Sequence, residues 1–255
     1  FTRSSNRWFS RDLTPEEITD FEQARTDTNI EPVIAHSSYL INLGTPEDAL
    51  WTKSIRALIT EMKRCEQLGI ENYVLHPGAH TGSGEEAGLA RVAEALGVAF
   101  EATAQSNVVV LLENTAGQGT GLGYRFEQLG WLIKQIEPTL RVGVCFDTAH
   151  AFAAGYEFGQ RESYEAMWQQ FDAIIGLERL RVIHLNDSKR DLGSRVDRHE
   201  HIGKGFIGIE AFRLLVNDPA LRHVPMLLET PKGPKMQEDI ANLALLRSLI
   251  ETEGE

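Results

Sequence analysis

Six short apolar runs punctuate the chain, and each one closes on a histidine or a carboxylate. Pro-Val-Ile-Ala runs into His36, Tyr-Val-Leu into His76 and Val-Val-Val-Leu-Leu into Glu113. Val-Gly-Val-Cys-Phe runs into Asp147, Arg-Val-Ile into His184 and Pro-Met-Leu-Leu into Glu229. A continuous apolar run of this length reads as a strand buried on both faces, the kind found in parallel sheets. The closing residues stand 34 to 45 positions apart, enough for one helix and two loops, so each interval reads as a βα unit.

Helix signals fall inside those intervals. Thr14-Pro15-Glu16-Glu17 offers a cap, a first-turn proline and a capping-box glutamate. Thr45-Pro46-Glu47-Asp48 repeats the pattern and opens a helix expected to run to about Leu68 and stop at Gly69. Further helices are expected over 85–105, 125–136, 162–175, 209–216 and 236–250. This alternation predicts an α/β fold, a (β/α)8 TIM barrel, with residues 1–255 as a single domain. Eight such units need roughly 300 residues. The chain opens on Phe1-Thr2-Arg3, which resembles the tail of a strand, so the first β-strand/helix unit is expected to be missing at the N-terminus.

Composition narrows the class without deciding it. The 255 residues are 42% hydrophobic and 24% charged, ordinary for a globular protein. No apolar stretch approaches the roughly 20 residues of a membrane span, so no membrane role is expected. The two cysteines fall in a predicted helix (Cys65) and a predicted strand (Cys145), which argues against a disulfide framework and for a reducing cytoplasm. Both read as small buried hydrophobes. The net charge of −12 argues, on its face, against a nucleic-acid partner.

The strand ends carry the chemistry. In a barrel of this type they share one face, where active sites are built. Strand parity puts Asp147 with Gly143 and Cys145, and Glu113 with Val109 and Leu111. Any one of these residues alone reads as a strand end meeting solvent. Six converging on one end call for a cation to neutralise them. Three more candidates lie just beyond strand ends: His150 in Asp147-Thr-Ala-His150, and the pair in Asp197-Arg-His199. The set is then His36, His76, Glu113, Asp147, His150, His184, Asp197, His199 and Glu229. Nine donors exceed the four that one zinc usually takes, but suit three metals if a carboxylate bridges. Imidazole with carboxylate favours zinc, with manganese or iron as alternatives. Closely spaced metals suit phosphoryl displacement.

Other features carry less. His80 reads either as a ligand-contacting residue or as a surface histidine, and His201 and His223 read as uninvolved. Asn114-Thr-Ala-Gly-Gln-Gly119 matches no nucleotide fingerprint, and reads as a loop shaped for close approach of a substrate backbone. The 188–204 segment gathers Lys189, Arg190, Arg195, Arg198 and Lys204, either as a solvated loop or as a phosphate contact. Arg3, Arg7 and Trp8 form a second basic and aromatic patch, expected near Tyr39 and Leu40, suited to stacking on a base or wedging a duplex.

These motifs together resemble the endonuclease IV family of abasic-site DNA repair enzymes. The resemblance rests on His36-Ser-Ser-Tyr-Leu-Ile-Asn-Leu43, His76-Pro-Gly-Ala-His80, Glu113-Asn-Thr-Ala-Gly-Gln-Gly119 and Asp147-Thr-Ala-His150-Ala-Phe-Ala-Ala-Gly155. It continues through His184-Leu-Asn-Asp-Ser-Lys189, Arg195-Val-Asp-Arg-His199 and Leu228-Glu-Thr230. It implies a (β/α)8 barrel with three zinc ions. His36, His76 and Glu113 would hold one, Glu113 with Asp147, His184 and Glu229 a second, and His150, Asp197 and His199 the third. It implies hydrolysis of the phosphodiester 5′ to an abasic site in duplex DNA by a metal-activated hydroxide. The products are a 3′-hydroxyl and a 5′-deoxyribose phosphate, and 3′-repair diesterase activity is expected as well. Glu229 and Glu113 would be catalytic. Tyr39, Leu40 and Arg7 would fill the stack, and Arg198 and Lys189 would contact DNA, in a monomer of the cytoplasm. Where the family has Lys-Asn-x-Arg, this chain has Arg3-Ser-Ser-Asn-Arg7, so the stack-filling arginine is not securely assigned. Three divalent ions would bring the formal charge from −12 to −6.

Two rivals remain. A single-metal sugar isomerase or epimerase on a related barrel could use Glu113, Asp147, His184 and Glu229, but has no use for His36, His76 or the Asp197/His199 pair. A catalytically inactive lesion-binding barrel would bind a duplex carrying an abasic analogue without cleaving it.

Overall fold

A computed structural model describes residues 1–136 and 139–251, which group into two compact units. The first takes Phe1–Glu113 and Gln128–Gly143; the second takes Asn114–Glu127 and the chain from Val144 onward.

In the first unit the apolar runs become β1 (Ile34–His36), β2 (Asn72–Leu75) and β3 (Val109–Glu113). They pair in parallel, with His36 opposite Val74 and Leu75 opposite Leu112. That register sets His76 level with Glu113, one position beyond the last paired residues. Helix α1 (Pro15–Thr28) has the expected Thr14–Glu17 capping box. It is followed by α2 (Asp48–Gln67), α3 (Glu85–Ala102) and α4 (Phe126–Gln135), the last belonging to this unit from Gln128 on. Burial of Leu58 and Met62 on α2, Val92 and Leu96 on α3, and Val110 and Leu112 on β3 makes its core.

The second unit holds β4 (Val142–Asp147, from Val144 on) and the short helix α5 (Thr148–Ala154), then α6 (Arg161–Ile174) and β5 (Leu180–His184). A two-rung antiparallel hairpin of β6 (Asp187–Ser188) and β7 (His199–Glu200) comes next. It is followed by α7 (Ile209–Asn217), β8 (Met226–Leu227) and α8 (Gln237–Leu249). Strands β4, β5 and β8 are parallel neighbours, with Asp147 opposite His184 and His184 opposite Leu227. Its core is aromatic: Phe146 lies edge-on to Phe158 and Phe171, and Phe126 stacks on Tyr156 at 3.9 Å.

Several expectations are corrected. Helix α2 starts at Asp48, not after Thr45, because the Thr45 hydroxyl accepts from the Glu47 amide (3.2 Å) in a local turn instead of capping the helix. Helix α3 ends at Ala102, short of Gln105, where the Thr103 hydroxyl turns back to the Ala99 carbonyl (2.8 Å). Both ends of α4, α6 and α8 and the C-terminal end of α7 differ by one residue, which is the fraying of any helix terminus. Glu229 lies two residues past β8, and His76 one past β2. The loop read at 188–204 contains the hairpin, and α5 follows Asp147 where no helix was expected.

Residues 1–3 form no strand. The Thr2 carbonyl accepts instead from Arg64 Nε (2.8 Å), and Arg3 is buried. Arg3 Nε lies 2.6 Å from Glu61 Oε1, and the pair is 2% and 1% exposed. The other Glu61 oxygen accepts from the Ser38 amide (3.1 Å) and the Tyr73 hydroxyl (2.8 Å). A carboxylate this buried is tolerable only because every lone-pair direction has a donor. Arg3 is therefore structural and does not belong to the surface patch expected with Arg7 and Trp8.

Removing one member of a buried ion pair strands the other. Arg3→Met is expected to lower stability by about 3–5 kcal/mol in urea unfolding. A loss below about 1 kcal/mol, typical of an exposed pair, would show that Glu61 does not need Arg3.

Candidate functional site

Six of the nine predicted donors close a strand or follow one by one or two residues. His150 lies in α5, and Asp197 and His199 lie in the hairpin, the former before β7 and the latter opening it. In the first unit, ligating atoms of His36, His76 and Glu113 lie within 4.8 Å of one another. Glu113 is fully buried. Its Oε2 is 3.1 Å from His36 Nε2 and 2.9 Å from His76 Nε2. His36 Nδ1 is 2.9 Å from the Ser37 carbonyl, an acceptor, so that nitrogen carries the proton. Its Nε2 lone pair then faces a carboxylate oxygen.

The second unit repeats the motif with more donors. Asp147, His150 and His199 offer atoms within 4.8 Å of one another. His150 Nδ1 donates to the Asn114 carbonyl (2.9 Å) and His199 Nδ1 to the Glu229 carbonyl (3.3 Å). Both rings thus turn their Nε2 atoms toward each other, 3.4 Å apart. Asp197 lies 3.3 Å from one and 3.4 Å from the other. His184 Nδ1 is 3.1 Å from Glu229 Oε2 and 3.9 Å from Asp147 Oδ2. Lone pairs aimed at lone pairs repel unless a proton or a metal ion lies between them. Imidazole nitrogens mixed with carboxylate oxygens are the donor set of zinc and its neighbours. The residues therefore fit a divalent metal.

Side chains that the sequence pattern did not single out hold this arrangement. Asn114 Oδ1 accepts from the Asp147 amide (2.8 Å), and Asn114 Nδ2 donates to the Asp147 carbonyl (2.9 Å). Asn186 Nδ2 donates to Asp147 Oδ2 (2.6 Å), and Asn186 Oδ1 accepts from the Glu229 amide (2.8 Å). The Thr148 hydroxyl bonds both the amide (2.8 Å) and the carbonyl (2.6 Å) of Asn186. Asp147 also caps α5, accepting from the His150 amide at 2.8 Å. The available signal was position: Asn114, Thr148 and Asn186 all lie within two residues of a strand-end donor.

The hairpin bearing His199 is braced by Asp187, whose carboxylate accepts from the amides of Ser188, Gly205 and Ile207. Burial raises its pKa, and those amides pull it back. Gly205 is obligatory there, since a Cβ would meet the Ser188 carbonyl at 2.3 Å.

Other candidates resolve as follows. In the 114–119 loop a Cβ on Gly117 would strike the Tyr124 ring at 2.8 Å, so that glycine serves internal packing. Gln118 Oε1 accepts from the Asp197 amide (3.0 Å), so the loop also braces one of the candidate donors. His80 Nδ1 accepts from the amides of Gly82 (3.2 Å) and Gly84 (3.0 Å), shaping its own loop. Burial pushes the Cys65 thiol up to about 12, consistent with an inert hydrophobe, and Cys145 is buried too. Tyr39 is 69% exposed, its ring 5.2 Å from that of Phe1 and 6.4 Å from that of His36. Leu40 is half-buried, and Arg7, Lys189 and Arg198 are exposed. Lys189 Nζ lies 3.7 Å from Glu200, and Arg198 Nη1 donates to the Asp197 carbonyl (2.5 Å).

Residues 1–249 match the family described as xylose isomerase-like TIM barrel. A probable endonuclease 4 of Chloroflexus aurantiacus is 53% identical over 251 residues, spanning 98% of this chain and 88% of that protein. The crystal structure of endonuclease IV from Thermus thermophilus superposes with a TM-score of 0.86 at 39% identity, over 98% of this chain and 87% of that one. A D-tagatose 3-epimerase-like protein shares the fold at a TM-score of 0.72 and 19% identity, over 92% and 83%. The fold is therefore a TIM barrel.

If Asn114 sets the aim of Asp147 and His150, its loss should loosen the metal before it unfolds the chain. Asn114→Ala is expected to weaken metal affinity about 10–100-fold in chelator competition, with the circular dichroism spectrum retained. Unchanged affinity would mean that the backbone alone aims those two donors.

Proposed function

Since the chain belongs to the xylose isomerase-like TIM-barrel family, and within it to the endonuclease IV proteins, we propose that it is the enzyme that opens DNA at abasic sites. It is a hydrolase of the deoxyribonuclease IV type. The reaction read for it is hydrolysis of the phosphodiester 5′ to the abasic sugar in duplex DNA, leaving a 3′-hydroxyl and a 5′-deoxyribose phosphate. Removal of 3′-blocking groups draws on the same chemistry. The observation that carries the reading is the surplus of donors: His36 and His76 on Glu113, and His150, His199 and Asp197 together, go beyond what a single-metal sugar epimerase uses.

The nine donors are assigned to three zinc ions, with manganese or iron as alternatives at one or more positions. Following the family resemblance, Glu113 serves two of the ions. When bound, such ions lower the pKa of water toward about 7 and neutralise charge on the phosphate.

Each side chain then has a task. Asp147 and Glu113, both fully buried, hold fixed negative charge that imidazoles alone could not balance. Glu229 is assigned to orient the attacking water and take its proton, a role supported by its 35% exposed side chain beside His184 (3.1 Å). An abasic nucleotide has no base to unstack, so it leaves the helix at low cost. Tyr39, Leu40 and Arg7 are assigned to the gap it leaves, supported by the exposure of the Tyr39 ring, and Arg198 and Lys189 to phosphate contacts. One family match running through both compact units supports reading the chain as a single domain. A monomer in the cytoplasm completes the proposal; no helix of the described residues is long and apolar enough to cross a membrane.

The test is a duplex carrying one tetrahydrofuran abasic analogue. Metal-replete protein should nick it once, 5′ to the analogue, and leave the undamaged duplex intact. Binding without cleavage would instead identify an inactive lesion-binding protein. Glu229→Gln should keep DNA binding and lose about 10²–10⁴-fold in cleavage rate. Cleavage at the wild-type rate would remove Glu229 from proton transfer.

A further inference from the structure

Helix α8 buries a stripe of three residues, and one of them is polar: Asn242, beside Leu246 and Leu249. Asn242 is 4% exposed, at a position where an apolar side chain would pack at no cost in hydrogen bonding. Its amide is fully engaged, and with two different segments. Oδ1 accepts from the Ile202 amide at 3.2 Å. Nδ2 donates to His201 Nδ1 (3.2 Å) and to the Thr230 hydroxyl (3.0 Å). His201 and Ile202 lie two and three residues past His199, and Thr230 directly follows Glu229. Thr230 is itself buried. A direct hydrogen bond between those two donor segments, His199 Nδ1 to the Glu229 carbonyl, is long at 3.3 Å. Asn242 adds three bonds from a rigid helix, one set to each side.

We infer that Asn242 is a positioning residue: it fixes the spacing between the segment carrying Asp197 and His199 and the segment carrying Glu229. His201, read from the sequence as uninvolved, is then one of its two anchor points. The inference rests on the metal-ligand reading of His199 and Glu229. It assigns Asn242 no contact with metal or substrate. A helix side chain sets how far apart two loops stand, and that spacing decides whether their donors meet ions at the correct distance.

The test uses cadmium as a spectroscopic substitute for zinc. Cadmium-113 NMR of the full chain reports the geometry around each bound ion without any turnover. Asn242→Leu, similar in size and without hydrogen bonds, should shift the resonances of ions held by His199 and Glu229. Zinc release to a chelator from that protein should be about tenfold or more faster. Cleavage should fall through kcat with KM unchanged. Thr230→Val, a milder change that removes only the anchor on the Glu229 side, should move the same resonances and serves where the leucine variant folds poorly. Leu246→Ala, on the same buried stripe, controls for general loosening of α8. It should lower the melting temperature and leave the spectrum in place. Spectra of Asn242→Leu and Thr230→Val that match wild type, or an equal shift from Leu246→Ala, overturn the positioning role. A wild-type spectrum with one resonance or none overturns the three-metal reading itself, and this inference with it.

Discussion

Buried negative charge at the ends of parallel strands is the constraint on which the rest of this molecule turns. Glu113 and Asp147 are fully shielded from water, and the atoms closest to their carboxylates are mostly histidine nitrogens and amide groups. Two of the site's histidines, His36 and His150, spend Nδ1 on a backbone carbonyl and turn Nε2 to a carboxylate oxygen. Buried carboxylates crowded by imidazoles call for positive charge among them, carried by protons on the rings or by a bound metal ion. Strand register, the Asp147 cap on α5 and the asparagine braces all hold that crowding in place.

The braces explain how a site assembled from loops can be rigid. Asn114, Thr148 and Asn186 convert the residues after each strand into a hydrogen-bonded lattice around Asp147. Asp187 does the same for the hairpin that presents His199. Each is a buried polar group with its partners supplied, so order around the site comes from fixed hydrogen bonds and does not depend on loop length.

The clustering of most candidate donors was legible in the sequence because they end an apolar run or follow it by a few residues, and within each unit parallel pairing sets such ends side by side. Asp197 and His199 were legible from their spacing of two. The braces were not. Asn114 meets Asp147 across 33 positions and Asn186 meets Glu229 across 43, and nearness to a strand-end donor, their one local signal, does not say which distant partner they reach. Arg3 misled for a related reason: its charge suggested a surface patch, whereas its partner Glu61 lies 58 residues away inside the fold. The start of α2 failed on local chemistry, because the Thr45 hydroxyl made a turn where it was expected to cap a helix.

The fold is shared with an epimerase-like protein at 19% identity, so the barrel alone does not separate a nuclease from a sugar enzyme. The donor count does. A metal analysis of the purified chain after loading with zinc and removal of loose ions addresses this most directly. The account predicts three equivalents per chain, each lost on substitution of donors from its own set. A single equivalent, unaffected by replacing His36 or His199, would contradict it.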